Sequence, residues 1–217
     1  MNFELARNNM IEQQIRTWEV LDERVLESLR KVPREDFVPV QHRSLAFADM
    51  GIPIGRGQFM LPPKLEARLL QELDVKPHDK ILEIGTGSGY VTALLATLGG
   101  HVFSVDIVPE FKMAAAAKLA AHGINNVTLD VGDAARGWNR HGPYDVILIG
   151  GSLPVLPEDF QRSLAIDGRM IAVVGQPPAM DARFIRRLGP EAFEQRSLFE
   201  TELPPLINAP QPPKFVF

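Results

Sequence analysis

Lys80-Ile81-Leu82-Glu83-Ile84-Gly85-Thr86-Gly87-Ser88-Gly89-Tyr90 is the stretch on which the fold turns. A short, mostly apolar strand pattern runs into three alternating glycines, and a helix over 89–98 follows at once. Without Cβ atoms, Gly85, Gly87 and Gly89 let the backbone turn sharply and let a bound molecule approach it. A helix leaving such a turn presents unpaired N–H groups to whatever lies in front of it. Asp106 ends the next apolar run, His101-Val102-Phe103-Ser104-Val105-Asp106. A carboxylate at that place can accept two hydroxyl protons from a ribose, so turn and aspartate together read as a nucleoside pocket.

Working outward, strand and helix patterns keep alternating. A helix over 109–122 closed by Gly123 is followed by strands at 126–131 and 144–150, a short helix over 158–164 and a strand at 169–175. This order implies an α/β fold, a mostly parallel sheet with helices on both faces. Segments 183–188 and 193–201, around Gly189-Pro190, read as a C-terminal antiparallel hairpin at one edge. Residues 1–62 differ in character. Phe3, Ala6, Met10, Ile11 and Ile15 fall at helical spacing, and a second helix opens at Asp22 and stops before Pro33. Residues 33–62 carry Pro and Gly too often for long elements and read as irregular. The expected division is an N-terminal helical and loop-rich cap over 1–62 and an α/β domain over 63–217, joined by a helix led by Pro62-Pro63 into one compact unit.

Composition narrows the partners. A chain of 217 residues with 45% hydrophobic and 23% charged residues is globular and long enough to bury most of its surface without staples. Net charge is −4, which lacks the basic footprint of a nucleic-acid binder. Cys is absent, which removes thiolate metal sites, cysteine nucleophiles and disulfides. No metal site is expected. The N-terminus has no basic-then-apolar leader pattern and no apolar run is long enough to span a bilayer, so the expectation is a cytoplasmic protein with no membrane or nucleic-acid partner. Oligomeric state is not legible.

The identity of the nucleoside follows from spacing. Nicotinamide dinucleotide sites use GxGxxG, whereas this turn is GxGxG. Gly132-Asp133-Ala134 follows the third strand, where an acidic side chain can accept from an adenine amino group. A compact adenosine with a short cationic tail suits this set better than a long pyrophosphate. The competing reading makes the glycines a tight turn and the two aspartates helix caps.

With these residues in view, the sequence resembles the class I S-adenosylmethionine-dependent methyltransferases and, among them, the protein-L-isoaspartate O-methyltransferase family, over nearly the whole chain. The motifs that carry the resemblance are MIEQQI, DERVLESLRKVPREDFVP, AFADMGIPIGRGQ, LEIGTGSGY, HVFSVDIVPEF, GDAARGW, PYDVILIGG and DGRMIAVVG. The resemblance implies a Rossmann-like fold, S-adenosyl-L-methionine as cofactor, and a damaged protein or peptide carrying isoaspartate as substrate. It also implies roles. Glu83, Gly85, Thr86, Gly87, Ser88 and Gly89 shape the methionine side, Asp106 holds the ribose, Ile107 packs on the adenine, and Asp133 with Ala134 meets its polar edge.

Two departures stand against this pattern. The family follows GxGQ with Thr-x-Ser-x-Pro, whose hydroxyls lie beside the acceptor, but after Gly57 and Gln58 this chain has Phe59-Met60-Leu61-Pro62-Pro63. Both hydroxyl positions, Phe59 and Leu61, are apolar, so no catalytic residue is assigned. Gly57, Gln58 and Leu61 remain candidates for substrate contact, and Ser152, in Gly150-Gly151-Ser152, is a candidate for a displaced hydroxyl, against the plainer reading of a helix-leading serine. Three readings stay open: an isoaspartyl methyltransferase, a methyltransferase of the same fold with a more hydrophobic or small-molecule acceptor, and a non-catalytic protein that binds S-adenosylmethionine.

Overall fold

A computed structural model describes residues 2–213. Asn2 caps α1 (Phe3–Met10) by accepting the Leu5 N–H, and the helix runs on through a wide turn, Ile11–Ile15, and a tight one, Arg16–Trp18. Asp22 caps α2 (Glu23–Lys31), whose Val25, Leu26 and Leu29 are buried. A short α3 (Arg34–Phe37) and a 3-10 segment, Val40–Leu45, follow.

Residues 33–62 are more regular than their composition suggests. β1 (Ile52–Gly55) and β2 (Gln58–Met60) form an antiparallel hairpin. Its two turn residues, Arg56 (φ 54) and Gly57 (φ 72), are both left-handed, as a type I′ hairpin turn requires. Helix α4 (Pro63–Leu73) then starts with Pro63 in its first turn, where a missing N–H costs nothing.

The sheet begins with β3 (Lys80–Ile84), followed by α5 (Tyr90–Leu98), β4 (His101–Asp106), α6 (Pro109–Ala121), β5 (Val127–Val131) and β6 (Tyr144–Leu153). After α7 (Glu158–Arg162) come β7 (Leu164–Gln176), β8 (Ala179–Arg187) and β9 (Phe193–Glu200). The seven strands lie in the order β5-β4-β3-β6-β7-β8-β9. The first five are parallel and the last two add antiparallel, so the expected fold class, with its edge hairpin, is the one observed.

Strand alternation sorts the core. Ile81 joins a buried cluster that includes Leu26, Phe37, Leu70, Leu94 and Val146, while Leu82 and Ile84 join a second one with Ile147, Ile149 and Phe160. The first cluster contains side chains from both the cap and the sheet. Near its carboxyl end β6 bulges: Leu148 pairs with Ile171 but Ser152 with Val173, so Ile149, Gly150 and Gly151 together face Ala172. A bulge of this kind bends the strand and interrupts its pairing, a feature that recurs beside functional sites.

Candidate active site

Strand order reverses between β3 and β6, and in open α/β sheets the crevice beyond the carboxyl ends at such a point is where ligands bind. A cleft of about 1120 Å³, counting its open mouth, lies there. Gly85 (φ +94) and Gly87 (φ +51) line it in conformations that side chains resist. A Cβ on Gly150 would stand 2.9 Å from the Ile84 carbonyl oxygen, so only glycine lets the bulge pass the end of β3.

Asp106 ties the cleft together. Its Oδ2 accepts the Gly87 N–H and its Oδ1 the Val108 N–H, each at 2.8 Å. Burial pushes this carboxyl up, and the two N–H bonds oppose the rise. Each oxygen retains acceptor capacity toward the cleft. The cap reading and the ligand reading therefore meet in one side chain: Asp106 secures the glycine turn and the residue leading α6 while facing the cleft.

Ile107, Asp133 and Ala134 also line the cleft. Asp133 Oδ1 accepts the Ala135 N–H at 3.0 Å, and its Oδ2 accepts from Asn208 Nδ2 at 2.8 Å, so the tail reaches back to the residue expected at the polar edge of a base. Glu83, Thr86, Ser88 and Gly89 do not line it. Period-two alternation places Glu83 with Ile81, on the opposite face from Ile84. There its Oε2 accepts from Thr92 Oγ1 at 2.5 Å and Ser104 Oγ at 2.6 Å. Thr86 Oγ1 bonds Ser104 Oγ, Ser88 Oγ accepts the Tyr90 N–H, and Gly89 packs so closely on Ala115 that a Cβ would lie 2.8 Å from that side chain. These residues form the scaffold behind the turn.

The wall built by the cap consists of Gln58, Phe59, Met60 and Leu61, with Phe59 49% exposed. Gly57 sits at the exposed hairpin turn instead, away from the cleft lining. Ser152 also requires correction. It is fully buried, its Oγ donates to the Leu203 carbonyl at 2.8 Å, its N–H donates to Pro204 O and its carbonyl accepts from Leu206 N. It clamps the tail and offers no hydroxyl to an acceptor. The clamped tail, Glu202 through Ile207, forms a further wall that the sequence reading did not include. Among the described lining residues there is no hydroxyl, imidazole, lysine or arginine, and the ionisable groups are Asp106, Asp133 and Glu202.

A family model described as protein-L-isoaspartate(D-aspartate) O-methyltransferase (PCMT) matches residues 5–209. The chain belongs to this family. Among its curated relatives, the protein-L-isoaspartate O-methyltransferase of Protochlamydia amoebophila is 37% identical over 202 residues, covering 92% of this chain and 95% of the relative. That of Rhodopseudomonas palustris is 39% identical over 201 residues, covering 92% of each. A Plasmodium falciparum protein of the same family, solved in complex with S-adenosyl-L-homocysteine, superposes with a TM-score of 0.80 over 95% of this chain and 99% of its own. At 19% identity, that likeness is one of fold.

Within this protein-L-isoaspartate O-methyltransferase family member, the scaffold behind the turn titrates. Burial pushes the Glu83 carboxyl up to about 8, and the hydroxyls of Ser104 and Thr92 only partly offset this. The folded state therefore holds this proton across a window in which the unfolded chain, with a carboxyl near 4.5, has released it. Its contribution to stability is complete below pH 4.5 and is lost as pH rises to 8, at on the order of 1 kcal/mol per pH unit in mid-window. Urea unfolding of wild type and Glu83→Gln between pH 4.5 and 8.5 checks this: the variant should show the shallower decline, and equal slopes would remove Glu83 as the cause. Among the described residues no helix is long and apolar enough to cross a membrane.

Proposed function

We propose that this chain is an S-adenosylmethionine-dependent O-methyltransferase that esterifies the carboxylate of isoaspartyl residues in damaged proteins or peptides. The observation that carries the reading is the Asp106 carboxylate, fixed by two backbone N–H groups at the mouth of a glycine turn in a switch-point cleft. The residues fit the cofactor on structural grounds. Positive-φ glycines leave room for a close approach, the cleft is mostly apolar, and the ionisable groups among its described lining residues are carboxylates, which favour a cation.

In this reading Asp106 accepts the ribose hydroxyl protons. Ile107 packs on the adenine, and Asp133 with Ala134 faces its amino edge, with Asn208 holding the Asp133 carboxylate in place. Gly85 and Gly87 border the methionine side, and Glu83, Thr86, Ser88 and Gly89 support them from behind. When bound, the sulfonium supplies a methyl group that passes to a carboxylate oxygen, leaving a thioether and an ester. A carboxylate has no proton to remove, so the chain needs no general base, and its work is to align the acceptor and exclude water. The tail and the cap wall enclose the site on this account, so cap and sheet act as one compact unit. The reading carries with it a cytoplasmic location, where ageing proteins are the substrates.

The test is transfer of labelled methyl from S-adenosylmethionine to an isoaspartyl peptide, read as methanol released by base. Transfer to that peptide and not to its aspartyl twin supports the proposal. One observation favours a second reading, a different acceptor: the cap wall offers Phe59, Met60 and Leu61 where hydroxyls would bind a carboxylate, and among the described residues no cation lines the cleft. Clear transfer only to apolar acceptors would establish that reading instead.

A further inference from the structure

The cap holds an arginine for which surface chemistry gives no account. Arg34 is fully buried, and so, nearly, is its partner Glu66, which accepts from its Nη1. Its Nε donates to the Ala46 carbonyl at 2.8 Å and its Nη2 to the Leu61 carbonyl at 2.7 Å, while the guanidinium stacks 4.8 Å from the Tyr90 ring centre. One planar group thus joins α3, the segment before the hairpin, the end of the cap wall and the first turn of α4, against the first residue of α5.

Stability alone does not explain the arrangement. Removing two charges from water costs several kcal/mol per ion, and apolar pairs of similar volume commonly serve folding as well or better. The planar, rigid fork, donating to three separate acceptors, supplies geometry instead. Its most consequential acceptor is the carbonyl of Leu61, a cleft-lining residue. Because Phe59 and Leu61 have no hydroxyls, the Phe59-Met60-Leu61 part of this wall acts on an acceptor through its shape and backbone, so its placement decides the fit.

We propose that Arg34, anchored by Glu66, is a positioning residue for the acceptor wall, holding the Leu61 carbonyl so that Phe59-Met60-Leu61 presents a fixed surface to the incoming acceptor. The proposal rests on the methyltransferase reading for its kinetic consequence, but not for its structural one. The test uses the full chain as the double variant Arg34→Met with Glu66→Leu, and Arg34→Lys alone, which keeps the charge and loses the fork. Hydrogen exchange at the amides of residues 59–61 is read first, without any acceptor, followed by KM and kcat for the isoaspartyl peptide and calorimetric affinity for S-adenosylmethionine.

Both variants should exchange at least tenfold faster over 59–61. They should raise acceptor KM about tenfold while cofactor affinity stays within twofold, a split that general loss of folding would not produce. Wild-type exchange in the variants overturns the proposal, as does faster exchange with an unchanged KM. If the double variant does not fold, Arg34→Lys carries the same criteria. If wild type fails to methylate the peptide, the isoaspartyl reading falls; exchange and the KM of whichever acceptor is used still decide the role of Arg34.

Discussion

Restoring the two hydroxyls, Phe59→Thr with Leu61→Ser, is expected to raise kcat/KM on an isoaspartyl peptide by about a hundredfold. A hydrogen bond to a charged acceptor contributes about 1.5–3 kcal/mol, and each factor of ten in rate corresponds to about 1.4 kcal/mol. Two such bonds would supply more than that factor, and part is lost to imperfect geometry in a wall built for apolar side chains. Folding should tolerate the change, because Phe59 is half exposed and Leu61 lies at the cleft surface. Initial rates at limiting peptide measure the effect. No gain in the double variant would show that the apolar wall is not what sets isoaspartyl activity in this chain, and would favour a different acceptor.

Asp106→Ala is expected to weaken S-adenosylmethionine binding ten- to a hundredfold. The carboxylate offers the proposed ribose bonds, worth about 1.5–3 kcal/mol when one partner is charged, and it also secures the Gly87 and Val108 N–H groups that shape the turn. Asp106→Asn separates the two contributions. Its amide oxygen accepts one N–H while its nitrogen accepts none, so affinity should fall between those of wild type and the Ala variant. Calorimetric titration of the three proteins supplies the comparison, and equal affinities would remove Asp106 from the site.

Much of the fold was legible because its signals are local. The strand before Gly85, the alternation from β3 through β7 and the Pro-led starts of α4 and α6 each depend on neighbours within a turn or two of chain. The same holds for Asp106, whose place at the end of β4 follows from strand length. What the sequence did not reveal depends on distant partners. The β1–β2 hairpin turns on Arg56-Gly57, which lacks the Asn-Gly or Asp-Gly signature of its turn type. Neither reading of Ser152, displaced hydroxyl or helix-leading serine, finds its true partner, because its acceptor, Leu203, lies 51 residues away. The tail wall carries no periodicity, and its Pro204-Pro205 reads only as a break. Nothing local pairs Arg34 with Glu66, 32 residues on. The position of Glu83 was legible in principle, since strand alternation sets it opposite Ile84.

The functional reading of this chain depends on the cleft taking an adenosyl sulfonium against the glycine turn. Calorimetric titration of the folded wild-type protein with S-adenosylmethionine and, separately, with S-adenosylhomocysteine tests this most directly. The account requires saturable binding of both at one site per chain, weakened by Asp106→Ala; absence of binding heat for either compound over a range of temperatures would contradict it.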